Sequence, residues 1–384
     1  MGTPLHLAVA LDGAGWHPAS WREPLARPAE VLTPRYWTDL VTQAERGLLD
    51  FVTIEDGLTL QSDHPFRADD RTDRVRGRLD AVLIASRVAP RTSHIGLVPT
   101  IITTHTEPFH ASKAIATLDY VSNGRAGVRV QVASRRDAAA HFGRRHLPED
   151  RAALTTELFG EAKDYVEVLR RLWDSWEDDA EIRDVATGRF IDRNKLHYID
   201  FEGASFSVKG PSITPRPPQG QPIVAALGHV DPAFQLIADS TDVGFITPHS
   251  ADEVTALIAT IGSRHPTRAP QVFTDLVVFL DDTADTAKAR RGRLDELAEN
   301  EYRSDAEIFT GTPSELADLL QAWHTAGAAG FRLRPASLPH DLQQITDVLV
   351  PDLQRGGLFR QSYEASTLRG LLGLPRPANR YTTV

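Results

Sequence analysis

His105, Glu107 and His110 form the densest group of possible metal ligands in the sequence. A zinc-protease helix needs histidines at i and i+4 with the glutamate directly after the first. Here the spacing is too long, and Pro108 starts a helix between the two histidines, so no metal site is expected. The chain has no cysteine, which removes thiolate nucleophiles, iron–sulfur clusters and disulfides. Lysine is confined to positions 113, 163, 195, 209 and 288, none at the end of a candidate strand, so a Schiff-base aldolase is excluded. Glu55 and Asp56 are the clearest carboxylates at a strand end. As sequence neighbours on a strand their side chains point opposite ways, a poor pairing for glycoside hydrolysis. The run Ser122–Gly127 is an Asn-Gly turn into a strand, whereas a phosphate-binding loop opens a helix after one. Arg135, Arg136, Arg144 and Arg145 read as a solvated face, with anion binding as the alternative because they lie just beyond a strand end.

The elements that must position these groups follow from periodicity. Short β-branched runs at 5–11, 51–55, 94–102, 128–132, 223–227, 243–247, 272–280 and 330–333 predict eight strands. Helical periods occupy 35–48, 81–88, 109–121, 231–238, 251–261, 283–300, 314–326 and 340–348, with Thr33-Pro34 and Thr312-Pro313 as hydroxyl-plus-proline starts. Eight strands alternating with helices predict an α/β fold, a (β/α)8 TIM barrel. An amphipathic helix over 150–178 and a hairpin over 196–208 interrupt the rhythm between strands four and five. The Pro/Gly-rich stretch 210–222 follows. The expected organisation is one barrel domain over residues 1–384, with an insertion at about 176–222 and a C-terminal arm at about 351–384. Its mouth would be lined by Asp12, Asp56, Thr100, Thr103, Gln131, Ser134, His229 and Arg334. That set has few strong acids or bases and suits a borrowed cofactor.

Several segments resemble the bacterial luciferase-like, flavin-dependent monooxygenases, in the branch that holds nitrilotriacetate, dibenzothiophene-sulfone and long-chain alkane monooxygenases. They include Gly15–Arg22, Glu55-Asp56-Gly57, Thr103-Thr104 with Glu107-Pro108, Leu118–Gly127, Leu172–Glu177, Phe206–Pro211 and Gly370–Arg380, in the family's order over nearly the whole chain. The resemblance implies a barrel that binds reduced FMN, supplied by a separate flavin reductase, and uses O2 to oxygenate a small organic substrate. It implies flavin contacts at Asp56, Thr100 and Thr103, and a loop with Trp16 and His17 beside ring and substrate. Family habit implies a homodimer or homotetramer.

Departures from the pattern are equally specific. Val128-Arg129 replaces the family's Trp-Asn, and Gln131 replaces a small apolar residue. The family's His-x-x-x-Tyr pair falls on Pro148 and Ala152, with His146 as the nearby substitute. Its Gly-Ser-Ser phosphate turn becomes Gly228-His229-Val230. The flavin phosphate would then be held by His229, Arg129 or Arg135, since an arginine fork suits phosphate. Two alternatives stay open: a deazaflavin-dependent oxidoreductase on the same barrel, and a catalytically silent barrel that acts as a binding partner. A net charge of −10 argues against nucleic acid, and no long apolar run or leader-like start points to a membrane, so a cytoplasmic location is expected.

Overall fold

The computed structural model describes residues 5–382 except 65, 266 and 268. The chain runs β1 (His6–Leu11), α1 (Pro34–Arg46), β2 (Phe51–Ile54), α2 (Ala81–Val88), β3 (Gly96–Ile102), α3 (Pro108–Val121) and β4 (Gly127–Gln131). There follow α4 (Arg136–Phe142), α5 (Arg151–Asp174), and two small hairpins, β5 (Glu181–Asp184) with β6 (Arg189–Ile191) and β7 (Phe201–Glu202) with β8 (Ser207–Val208). The repeat resumes with β9 (Ile223–Leu227), α6 (Asp231–Ser240), β10 (Val243–Ile246), α7 (Ala251–Arg264), β11 (Gln271–Leu280) and α8 (Ala284–Ala298). It ends with β12 (Glu307–Gly311), α9 (Pro313–Thr325), β13 (Gly330–Pro335), α10 (His340–Gln344), a π-helical turn, α11 (Val350–Arg355) and α12 (Leu368–Leu371).

The parallel sheet closes on itself, because β1 pairs with both β2 and β13, and β11 pairs with both β10 and β13. The ring is β1-β2-β3-β4-β9-β10-β11-β13, the eight strands expected from the sequence, and the fold is a TIM barrel. Thr33 caps α1 by accepting from the Tyr36 amide, and Thr312 with Glu315 forms a capping box on α9, as the hydroxyl-proline starts predicted. β12 was not among the expected strands. It forms because β11 is longer than its neighbours: residues 271–274 pair with β10, and the protruding 276–280 pair with β12. The expected hairpin at 196–208 is present but shorter, since Asp200 takes a left-handed φ of 38° and only Phe201–Glu202 pairs. The β5–β6 hairpin and α4 were not expected.

Alternation along the strands sets what faces the barrel axis. Val52 and Ile54 on β2, Leu276 and Val278 on β11, and Phe331 and Leu333 on β13 pack outward under the helices. The inward set at the N-terminal end, Ala8, Phe51, Val98, Ile223, Phe245 and Phe273, forms a separate apolar floor. Leu368 and Leu372 of the tail close that floor from below. The approach is so close that a Cβ on Gly96 would lie 2.5 Å from Leu368. Arg369 anchors the tail to Asp242 at 2.9 Å, and Asn379 Nδ2 donates to the Asp174 and Trp176 carbonyls, both at 2.8 Å.

Candidate active site at the barrel mouth

Toward the C-terminal ends of the same strands the inward residues change character. Thr53 and Glu55, Thr100, Arg129 and Gln131, Asp275, Arg332 and Arg334 replace the aromatics. Arg332 marks the boundary, its guanidinium 4.0 Å from the ring centroid of Phe245 on the floor. Asp275, fully buried, accepts from Arg332 Nε at 2.8 Å and from Arg334 Nε at 2.9 Å. Arg334 also donates to Asp305 at 2.6 and 3.1 Å and lies 4.6 Å over the Trp16 ring. Arg129 donates to Glu55 at 2.8 Å and to the Thr100 hydroxyl at 2.9 Å, and Arg78 donates to Asp12 at 2.5 and 2.9 Å. Four guanidiniums therefore meet four carboxylates. Burial works against the charge on Glu55, but Arg129 and Arg332 outweigh it and hold the carboxyl below its ordinary range. For Asp305 burial is likewise outweighed, by Arg334.

The opposed directions expected for Glu55 and Asp56 are observed. Glu55 turns inward to Arg129, whereas Asp56 accepts from the Gly57 amide at 2.7 Å and the Ala81 amide at 2.9 Å, fixing the loop to the start of α2. Burial nevertheless raises the Asp56 pKa. Thr100 and Thr103 are both fully buried, and the Thr103 amide donates to the Gln131 carbonyl at 2.8 Å. Three adjoining cavities lie over this layer. One of 440 Å³ is lined by Arg129, Gln131, Ser134 and His229 on its polar side and by Val130, Phe159 and Leu236 on its apolar side. A second, of 330 Å³, shares Gln131 and Ser134 with it and adds Asp56, Arg78 and Arg135. A third, of 150 Å³, shares Arg78 and reaches Trp16 and His17.

Not every expected residue is free to act. Trp16 donates its indole N–H to the Ala10 carbonyl at 2.9 Å. His17 is wholly buried, 3.1 Å from Asp295 and packed on Phe279 and Tyr302, and burial lowers its pKa against the opposing pull of Asp295. Arg129 is committed to Glu55 and Thr100, and Arg135 to Asp137 and the Leu60 carbonyl. His229 follows Gly228 at the end of β9 and lies 3.3 Å from Asp305 and 3.2 Å from the Thr247 hydroxyl. Burial lowers its pKa, with Asp305 opposing. His146 stands apart from these three cavities. It is exposed and lines a different pocket, with Arg136, Arg144 and Arg145 beyond α4, because the chain turns outward at Gly143 before α5 begins.

Asp275, Arg332 and Asp305 were missed by the sequence reading. A lone aspartate inside the apolar run of β11, and two arginines spaced by two in Gly330–Pro335, were the available signals. Among the described residues no group of three or more His, Asp or Glu is arranged to hold a metal, and no helix is long and apolar enough to cross a membrane.

Comparison with known proteins agrees with this architecture. A family model described as luciferase-like monooxygenase matches residues 16–329. N-acetyl-S-(2-succino)cysteine monooxygenase of Bacillus subtilis (strain 168) is 32% identical over 98% of each chain. Nitrilotriacetate monooxygenase component A of Aminobacter aminovorans is 28% identical over 98% of this chain and 97% of its own. The crystal structure of a long-chain alkane monooxygenase superposes with a TM-score of 0.86 at 24% identity, covering 97% of this chain and 96% of the other. With a closed barrel, a polar mouth and similarity along its length, this chain is an oxidoreductase of the luciferase-like monooxygenase family.

Proposed function

We propose that the chain is an FMN-dependent monooxygenase that takes reduced FMN from a separate reductase and uses O2 to oxygenate a small organic substrate. The observation that carries this reading is the pair of joined cavities at the mouth, polar along one side and apolar along the other. That lining fits a flat heteroaromatic ring with polar edges and apolar faces, and it fits no metal. Arg129, Gln131 and Asp56 would border the ring, and Arg135 at the rim, exchanging the Leu60 carbonyl for the ligand, would hold the phosphate end. When bound, the reduced flavin supplies the electrons that activate O2. The chain's own residues do the rest. Val130, Phe159 and Leu236 keep water from the 440 Å³ cavity, where an organic substrate would sit beside the ring. His229, whose pKa burial lowers and which lies 3.3 Å from Asp305, can accept a proton at that cavity wall. The name of one relative, component A, supports a two-protein system in which a partner delivers reduced flavin.

The test is a titration of the purified chain with oxidised FMN, reduced FMN and a deazaflavin, followed by O2 uptake with added reductase. Tighter binding of FMN than deazaflavin, and slowed autoxidation of the reduced form, are expected. No binding of FMN at high micromolar concentration would end this reading, and preference for the deazaflavin would replace it with a dehydrogenase.

A further inference from the structure

The two larger cavities at the mouth differ in kind. The 330 Å³ cavity has Asp56, His64, Arg78 and Arg135 in its walls. In the 440 Å³ cavity every lining residue except Arg129, Gln131, Ser134 and His229 is apolar. Val130 comes from β4, Phe159 and Ala162 from α5, and Ala233 and Leu236 from α6. Phe66 reaches the same cavity from the segment between β2 and α2 and is 55% exposed, and Val230, just before α6, is 46% exposed. Exposed apolar side chains gathered around one apolar hollow, rather than scattered singly, mark a surface that an apolar body covers. At the ~30 Å³ that a water takes in the liquid, 440 Å³ holds no more than about fifteen non-hydrogen atoms.

Charge limits the head group that such a body can carry. Arg129 is the only Lys or Arg in the described lining, and Glu55 answers it at 2.8 Å. His229 is held toward its neutral form by burial. No carboxylate lines the cavity, and Asp305, beside His229, is taken by Arg334 at 2.6 Å. A carboxylate ligand would have to share Arg129 with Glu55, and an ammonium would meet Arg129 with no free carboxylate to offset it. Burying either charge without a partner is costly. Two uncharged groups stay available. The Gln131 side-chain amide and the Ser134 hydroxyl, both partly exposed, have no hydrogen-bond partner among the described residues. We propose that this cavity binds a neutral substrate with an apolar aliphatic or aromatic body of about ten to fifteen non-hydrogen atoms and one uncharged polar head, which the Gln131 amide and Ser134 hydroxyl hold. This rests on the monooxygenase reading above and names the substrate class of its cavity. Gln131 and Ser134 also line the 330 Å³ cavity, so the head lies on the flavin side and the body points toward α5 and α6.

The test uses three probes that share one body, 4-phenylbutanamide, 4-phenylbutyrate and 4-phenylbutylamine, which at neutral pH are uncharged, negative and positive. Each is titrated calorimetrically into the full chain, with and without saturating oxidised FMN, and FMN binding is followed separately by fluorescence quenching. The amide is expected to bind at least about tenfold more tightly than either charged probe. Gln131→Leu weakens the amide by about five- to tenfold, the scale of one hydrogen bond left unmade. Ala233→Phe, which fills the cavity from α6, weakens it by at least about tenfold. The wild-type comparison needs no variant to fold. Equal or tighter binding of a charged probe, or no binding of any of the three at low millimolar concentration, overturns the neutral substrate class and leaves the flavin reading standing as long as FMN still binds. Failure of FMN to bind overturns the flavin reading and with it the substrate role of the cavity, whatever the probes do.

Discussion

At the N-terminal end of the barrel the inward positions of β2 and β11 carry Phe51 and Phe273. Two residues further along each strand the same face carries Thr53 and Asp275, and beyond Thr53 comes Glu55. One end is an apolar floor sealed by Leu368 and Leu372 of the tail. The other is a layer of four arginines and four carboxylates under open cavities. Stability and function are thus divided between the two ends of the barrel. The floor gains from removing apolar area from water, while buried ion pairs give little net stability and are strongly destabilising only when broken. Charges retained at such a depth are best explained by what they hold at the mouth.

Substitutions at either end test this division. Asp275→Ala strips the carboxylate that Arg332 and Arg334 share and should cost about 3–5 kcal/mol, measured by urea unfolding. A loss below about 1 kcal/mol would mean the arginines find other partners and the network is loosely coupled. Leu368→Ala opens a void in the floor and should cost about 2–4 kcal/mol while leaving FMN affinity within about twofold of wild type. Loss of flavin affinity in that variant would show that the two ends are not independent.

Two buried aspartates outside the mouth set a pH dependence. Asp119, in the last turn of α3 and buried, has its pKa pushed up to about 6 by burial, against the opposing hydrogen bonds from Gln219 and Ala126. The folded state thus binds the proton more tightly than the unfolded chain. This group's contribution makes stability fall as pH rises from about 4 to about 6, by about 2 kcal/mol or less. Asp242, held down to about 2 by Arg170 and Arg369 in spite of burial, acts with the opposite sign: its stabilisation is present above about pH 4 and is lost as pH falls through about 2. Comparing unfolding midpoints of wild type and Asp119→Asn between pH 4 and 6 checks the first, which predicts a flatter profile for the variant. The smallest effect is expected at His146. His146→Ala should change FMN affinity by less than about twofold, because the residue lies beyond α4 and outside the mouth.

Much of the frame was legible in the sequence. Each barrel strand is a short β-branched run between polar loops, a signal that local residues carry by themselves. The layer of charges was much less so. Arg332 and Asp275 sit on strands whose neighbours are apolar, and only the closure of the sheet decides that their faces meet inside. Asp305 was harder still, because it reaches Arg334 from the loop before β12, a strand that exists only because β11 overshoots its neighbours. Glu55 and Asp56 show the positive case, since the two-residue period of a strand was enough to send them opposite ways.

The most direct test of the account is a crystal structure of the chain with oxidised FMN bound. The isoalloxazine is expected in the adjoining cavities at the mouth, bordered by Arg129 and Gln131, with the phosphate toward Arg135. Flavin found instead in the larger groove near the floor, the 810 Å³ space lined by Lys163, Arg170 and Arg380, or a mouth left without flavin in saturated crystals, would contradict it.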